Sequence, residues 1–217
     1  MSRWLYPFER TVARERLRRL AIVALAAFVV VNFLDGPLYR AIAVDPDRKA
    51  VVEGRDWYRT LRVVGTLWLW APLCLAWALA ARARDAAANA GRVFLAAILS
   101  GALAEVLQAA IGRRRPDATN GRHEFKGLIE RFTDPDGLGL PSSHAAVAFG
   151  AACMVAYLHP RAGVVALAAA VGCGWTRMLA GAHFASDVLG ALIVGYAVAR
   201  LLRPGGWHGA GRGLLLP

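Results

Sequence analysis

Long apolar stretches are the feature that most constrains the fold of this 217-residue chain. An apolar helix needs roughly 18 residues or more to cross a ~30 Å hydrocarbon layer. Six stretches approach or exceed this length, at residues 17–34, 60–81, 91–111, 142–158, 163–179 and 184–202. Because 57% of the residues are hydrophobic, the chain also has more apolar surface than a soluble core of this size needs. We therefore expect an all-α, polytopic membrane protein with a bundle of six transmembrane helices.

The two ends of the chain differ in composition from the apolar middle. Residues 1–16 mix arginines with aromatic side chains, which is typical of a basic amphipathic segment at a membrane interface. A charged flank that only sets the topology explains the same residues. Residues 17–203 hold the six predicted spans, and we expect the first to remain as an anchor because no pair of small residues for cleavage follows it. Residues 204–217 are rich in glycine, which favours a flexible tail.

The net charge of +11 comes almost entirely from arginine. In a soluble protein this excess would favour nucleic acid, but a membrane protein uses it at anionic lipid surfaces, so we expect no nucleic-acid partner. Much of the charge lies in the loop 112–141, which carries Arg113, Arg114, Arg115, Arg122, Lys126 and Arg131. This concentration of cations indicates an anionic ligand.

Three polar clusters flank the predicted spans, and their positions place all three at one face of the membrane. They are Gly112 to Pro116 after the third span, Pro141 to His144 before the fourth, and Arg177, His183 and Asp187 between the fifth and sixth. Guanidinium groups present forked donors that match phosphate oxygens. We therefore expect Arg115 and Arg177 to bind a phosphate group.

The second cluster opens a predicted helix. The backbone amides of Ser142, Ser143 and His144 have no partners inside the helix, and the helix dipole favours an anion there. A hydroxyl of Ser142 or Ser143 can add a further donor. Serine also caps helices routinely, so capping alone explains the same residues.

The third cluster contains a pair with catalytic potential. His183 and Asp187 are four residues apart and share one face of a helix that begins near them. A carboxylate that accepts from one ring nitrogen leaves the other as a nucleophile, and His144 is then available as general acid and base. Zinc ligation by these two histidines and Asp187 is a chemical alternative that the neighbouring arginines disfavour.

The clusters together resemble a known signature. Arg115-Pro116, then Pro141-Ser142-Ser143-His144, then Arg177, His183 and Asp187 are similar in order and spacing to the three motifs of the PAP2 superfamily, the type 2 phosphatidic acid phosphatases and their relatives. The resemblance covers residues 108–195. It implies a six-helix membrane core and hydrolysis of phosphate esters without a metal or other cofactor.

The resemblance also implies roles for individual residues. His183 is the implied nucleophile, Asp187 supports it, and His144 is the implied acid. The implied phosphate pocket consists of Arg115, Ser142, the amide of Ser143, and Arg177. Because such a pocket opens at headgroup level, we expect the bilayer and a membrane lipid phosphate as partners. Candidates are phosphatidic acid, phosphatidylglycerophosphate, undecaprenyl diphosphate and lipid A phosphates.

Three positions depart from the family pattern. Ser143 replaces a glycine and Thr176 replaces a serine, which are mild changes, and the third departure matters more. The first motif normally begins with a lysine seven residues before the arginine of Arg115-Pro116, and this chain has Gln108 there. Gln108 can bind phosphate through its amide but brings no charge, so Arg113, Arg114 or Lys126 compensates, turnover is weak, or the substrate differs. A catalytically silent lipid-phosphate binder on the same fold is the second hypothesis.

Glu105 lies one turn before Gln108 on the same predicted helix stripe. A polar stripe inside a span is expected to face the bundle interior, where Glu105 can orient the amide of Gln108. A structural hydrogen bond between helices explains the same residue. The resemblance further implies a bacterial inner-membrane location, with the active site facing the periplasm or the outside.

Overall fold

The computed structural model describes residues 5–81, 83–134 and 136–204, which are mostly helical. The helices are α1 (Leu5–Ile42), α2 (Pro46–Glu53), α3 (Asp56–Val63), α4 (Leu67–Ala80), α5 (Ala86–Ile111), α6 (Pro116–Thr119), α7 (Leu128–Thr133), α8 (Ser143–Leu158), α9 (Pro160–Leu179) and α10 (Ala185–Leu202). The β-structure in these residues is limited to isolated bridges. All but the first residue of the predicted flexible tail, 204–217, lies outside the described residues.

The six predicted spans correspond to helices of the structure. Glu15–Ile42 of α1 is long and apolar enough to cross a membrane, and so are α5, α9 and α10. Helices α3 and α4 pass the same test only as a pair, bent by 66°. Helix α8 has 16 residues, and residues 145–154 within it are all buried. The expected all-α membrane bundle is therefore confirmed, with a broken second span and a short central helix.

Helix α8 occupies the centre of the bundle and packs against α5, α9 and α10. Small residues allow these helices to approach closely, as in other membrane bundles. A Cβ atom on Gly195 would lie 2.7 Å from the backbone nitrogen of Gly150, and one on Gly150 would lie 2.6 Å from the carbonyl oxygen of Ala96. Backbone contact between α8 and its neighbours thus fixes the position of the Pro141 to His144 cluster at the start of α8.

The bend between α3 and α4 also contacts the start of α8. A Cβ atom on Gly65 would lie 2.7 Å from the carbonyl oxygen of His144, so the backbones touch there. The indole of Trp70 donates to the Val64 carbonyl at 2.8 Å, and the hydroxyl of Thr66 donates to the Val63 carbonyl at 2.7 Å. The bond from Trp70 satisfies a carbonyl group that the interrupted helix leaves free.

The first span continues beyond its predicted end at residue 34. Helix α1 passes through Pro37 and ends at Ile42, with Asp35 inside it and completely buried. Asp35 ends the apolar stretch in the sequence because it is charged. A charge that is paired with another side chain does not have to end a helix. The partner of Asp35 is described below with the site.

Candidate active site

His183 lies in the turn between α9 and α10, and only 2% of its side chain is exposed. Its Nδ1 atom lies 3.0 Å from the carbonyl oxygen of Gly139. Because a carbonyl oxygen can only accept a hydrogen bond, Nδ1 carries the proton and Nε2 keeps its lone pair. His183 therefore has the unprotonated ring nitrogen that a nucleophile at phosphorus requires.

Asp187 lies in the first turn of α10 and is completely buried. Its Oδ2 atom lies 3.5 Å from His183 Nδ1, farther than the Gly139 oxygen, and accepts from the backbone amide of Phe184 at 2.8 Å. The expected pairing of Asp187 with the imidazole is present at ion-pair distance. The shorter hydrogen bond comes from Gly139, which the sequence analysis missed because a backbone carbonyl leaves no side-chain signal.

Burial lowers the pKa of His183 from its usual value, because the charged imidazolium loses its hydration. The carboxylate of Asp187 opposes this effect, while Arg177 and Arg115 add to it. The balance lowers the pKa, so the imidazole is neutral near pH 7.

Arg113 forms a buried network that the sequence analysis did not foresee. Its guanidinium donates to both Asp35 and Asp187, the former at 3.3 Å, and all three side chains are at most 1% exposed. It also donates to the side chains of Asn32 at 2.9 Å and Ser186 at 2.7 Å. Arg113 was one of the three cations expected to compensate for Gln108. Because its charge is already bound by two carboxylates, it is not available to a phosphate.

Asp35 connects α1 to this network. Its carboxylate accepts from the backbone amide of Ser186 at 2.9 Å and from the Ser186 hydroxyl, and it lies 3.1 Å from Nε2 of His123. Asp35 itself was the signal in the sequence for this network. It is an ionisable residue at the edge of an apolar stretch, and such residues are usually paired and functional. Helix α1 is thus bound to the start of α10, next to Asp187.

The other two candidate cations are also occupied. Arg114 pairs with Glu130 at 2.5 Å. The ammonium of Lys126 lies 2.7 Å from the carboxylate of Asp134 and donates to the carbonyl of Asp136 at the same distance. Lys126 lowers the pKa of Asp134 through this hydrogen bond and its charge. Compensation for Gln108 by Arg113, Arg114 or Lys126 is therefore wrong.

Gln108 is buried and donates through Nε2 to the carbonyl oxygen of Pro141 at 2.6 Å. Its amide holds the segment that leads into α8, and this contact engages a donor that was expected to bind phosphate. Glu105 is exposed on α5, so the expected link between Glu105 and Gln108 is wrong. The predicted stripe turns away from the interior at Glu105, one residue after the buried Ala104.

Ser142 is the N-cap of α8, and its hydroxyl oxygen accepts from the amide of Ala145 at 3.4 Å. Capping uses the oxygen as an acceptor and leaves the hydroxyl proton to donate. Ser143 and His144 are the first residues of the helix, so their amides have no acceptor within it. Both side chains are partly exposed.

Arg115 precedes α6, and Arg177 lies in the last turn of α9. Arg115 donates through Nε to the Leu138 carbonyl at 3.1 Å. Arg177 is 7% exposed, and its Nε atom has no hydrogen-bond partner within the described part of the chain. The charges of both arginines act on His183 and His144. The two arginines thus influence the electrostatics of both histidines, one of which lies at the start of α8.

Within residues 5–81, 83–134 and 136–204, no three His, Cys, Asp or Glu side chains lie close enough together to hold a metal ion. The alternative zinc site would use Asp187, whose carboxylate is bound by Arg113 instead. The side chains of this site are suited to holding an anion.

Known proteins are similar to this chain in sequence and in fold. The family model of the PAP2 superfamily matches residues 89–207. A protein named lipid A 1-phosphatase from Rhizobium etli is 36% identical over 107 residues, and another of that name from Rhizobium johnstonii is 35% identical over 104 residues. Each match covers 48% of this chain, but only 44% and 42% of the two relatives.

The fold resembles the crystal structure of a transmembrane PAP2 type phosphatidylglycerolphosphate phosphatase from Bacillus subtilis. The TM-score is 0.60 at 18% identity, and the similarity covers 89% of this chain and 98% of that one. At this identity the likeness establishes the fold alone.

Proposed function

This chain belongs to the PAP2 superfamily, and we propose that it is a metal-independent phosphatase that hydrolyses a phosphate ester of a membrane lipid through a phosphohistidine at His183. The observation that carries the proposal is the buried His183, with its proton on Nδ1, beside Arg115 and Arg177. A neutral imidazole supplies the nucleophile, and the two guanidiniums supply charge for the phosphoryl oxygens.

In the first step, Nε2 of His183 attacks phosphorus and the bond between phosphorus and the lipid oxygen breaks. His144 donates a proton to that oxygen, so the lipid leaves as a neutral alcohol. The imidazole becomes positively charged, and the carbonyl of Gly139 and the carboxylate of Asp187 stabilise this charge. In the second step, His144 accepts a proton from water as its oxygen attacks phosphorus. The phosphorus–nitrogen bond then breaks, releasing inorganic phosphate and free His183.

The phosphoryl oxygens carry the negative charge throughout both steps. We assign their binding to Arg115, Arg177, the hydroxyl of Ser142 and the amide of Ser143. Donors that are fixed before the reaction stabilise the transition state more than mobile water does. Gln108 contributes indirectly, because it fixes the carbonyl of Pro141 just before these donors.

Two observations support a membrane lipid as the substrate, namely the position of the site and the names of the relatives. The site lies at one end of an apolar bundle, so a lipid with its phosphate at headgroup level reaches it without leaving the bilayer. The names of the two Rhizobium proteins favour a sugar-linked lipid phosphate such as lipid A 1-phosphate as the first substrate to test. We further propose a bacterial inner-membrane location, with residues 17–203 as the phosphatase domain and the site facing the periplasm or the outside.

A catalytically silent lipid-phosphate binder is the second candidate. The observation that favours it is Gln108, which stands where the family has a lysine and whose amide is bound to Pro141. Such a protein would bind lipid phosphates without releasing phosphate.

Phosphate release separates the two candidates. The purified full chain is incubated in mixed micelles with lipid A 1-phosphate, phosphatidylglycerophosphate, phosphatidic acid or undecaprenyl diphosphate, with a chelator present. His183→Ala is expected to abolish release. His159→Ala is the matched control, because His159 lies at the other end of α8, against Trp77. Release that survives His183→Ala would exclude the phosphohistidine, and no release from any lipid would favour the binder.

A further inference from the structure

The phosphate pocket has one cation fewer than the family signature predicts. Gln108 is neutral, and the three nearby cations considered from the sequence are each paired with carboxylates, namely Arg113, Arg114 and Lys126. A replacement cation, if the chain has one, must come from another element.

Arg62 on α3 is placed to take this role. It lies one helical turn after Tyr58, on the same face. Tyr58 is completely buried and packs with Ala180 and Ala182, just before His183. Three residues after Arg62, the backbone at Gly65 touches the carbonyl of His144, as described above. Arg62 therefore lies between two contacts that both border the site.

The surroundings of Arg62 leave its charge uncompensated. Its side chain is exposed, and no carboxylate lies within 4.0 Å of it among residues 5–81, 83–134 and 136–204. Its positive charge acts on both His144 and Arg177, and Arg115 acts on the same two groups. Three guanidiniums thus act on the same region, and in the described part of the chain none of them has a carboxylate within 4.0 Å. Because like charges repel, an anion that binds between them would relieve this repulsion.

We propose that Arg62 is a substrate-binding residue, the third guanidinium of the phosphate pocket beside Arg115 and Arg177, and that it supplies the charge missing at Gln108. The inference rests on the proposed function and specifies the charge of the phosphate group that the site binds. Three cations match a phosphate monoester, which carries two negative charges, better than a phosphodiester, which carries one. The bend between α3 and α4 positions Arg62 for this role, since it turns the last residues of α3 toward the start of α8.

Binding of inorganic phosphate to the detergent-solubilised full chain tests this contact directly. Isothermal titration is carried out on the wild type, Arg62→Gln, Arg62→Lys and Arg59→Gln. We expect Arg62→Gln to weaken phosphate binding about tenfold, the range of a lost charge-assisted hydrogen bond, and Arg62→Lys to recover part of the loss. Arg59 is the matched control, an exposed arginine on the same helix, and its substitution is expected to leave the affinity unchanged.

Turnover of a lipid phosphate, measured on the same samples, separates this inference from the proposed function. Phosphate binding that depends on Arg62 without any turnover would support the contact and contradict the phosphatase. Turnover by the wild type, with equal phosphate affinity in Arg62→Gln and Arg59→Gln, would overturn the contact and leave the phosphatase standing. Equal losses in these two variants would also overturn it, since they would reflect the general charge of α3.

Discussion

Arg113 and Asp187 form an ion pair that is closed to solvent, with 1% and 0% of their side chains exposed. The same guanidinium also pairs with Asp35, so α1 and α10 are linked through one side chain from the loop after α5. Water does not reach these three side chains. The two carboxylates and the guanidinium are therefore stable only together, because the attraction between opposite charges offsets the loss of hydration.

Removing one member of this set is expected to be costly. Arg113→Gln should lower the free energy of unfolding by roughly 3 kcal/mol or more, because it leaves the buried carboxylates of Asp35 and Asp187 without their shared guanidinium. Thermal unfolding in detergent measures this change, and phosphate release should fall with it because Asp187 shifts. Asp117→Asn is the control, since Asp117 forms an exposed pair with Lys49 at 3.6 Å that is worth about 0–1 kcal/mol. Equal stability of the two variants would contradict the network.

Gln108 and Glu105 are expected to respond differently to substitution. Gln108→Ala removes the donor to the Pro141 carbonyl, and an unpaired buried carbonyl costs about 1–3 kcal/mol. We expect lower stability and lower phosphate release, because the start of α8 loses its support. Glu105→Ala should leave both unchanged, since Glu105 is exposed. A comparable loss in Glu105→Ala would restore the link between these residues that the structure contradicts.

The pH dependence of the reaction should reflect the lowered pKa of His183. As the pH falls, a buried imidazole stays neutral below the point near 6.5 at which an exposed histidine is half protonated. We therefore expect the acid limb of kcat/KM to lie below about pH 6.5. Measurement with two substrates whose phosphates titrate at different pH values identifies the limb that belongs to the enzyme. A shared acid limb at or above this value would contradict the burial of a neutral His183.

The contact between α8 and α10 can be tested with two equivalent substitutions. Gly195→Ala places a Cβ atom 2.7 Å from the Gly150 nitrogen, and such overpacking costs about 1–3 kcal/mol. Gly91→Ala on α5 meets nothing within 4 Å and is expected to stabilise its helix by about 0.5–1 kcal/mol. Opposite shifts of the unfolding temperature are the expected result. Equal shifts would mean that the helices do not touch at Gly195.

Much of the fold follows from the sequence for a simple reason. A span must be apolar along its length, so hydropathy alone located α5 and α10, which were predicted at residues 91–111 and 184–202. The predicted end of α1 was too early because hydropathy treats Asp35 as the end of the apolar stretch. In the structure Arg113 compensates the charge of Asp35, so the helix continues past it. That pairing joins residues far apart in the chain, and no local pattern contains it.

The site was also predictable from the sequence only in part. Motif spacing brought His183, His144, Arg115 and Arg177 together, because each lies at the end of a span on the same face. It did not give the acceptor of the His183 proton, which is a backbone carbonyl. It also gave wrong candidates for the missing cation, since a list of positive residues does not show which ones already have partners. Arg62 was overlooked because α3 reaches the site only through the bend before α4.

Trapping of the phosphoryl intermediate tests the central claim most directly. The purified chain is mixed with a lipid phosphate that carries ³²P in the scissile phosphoryl group, quenched within one turnover and digested for peptide mapping. We expect acid-labile, alkali-stable label on the peptide that contains His183, more of it in His144→Ala if hydrolysis of the intermediate slows more than its formation, and none in His183→Ala. Rapid phosphate release by the wild type, with label on another residue or with no label on the protein in either background, would contradict nucleophilic attack by His183.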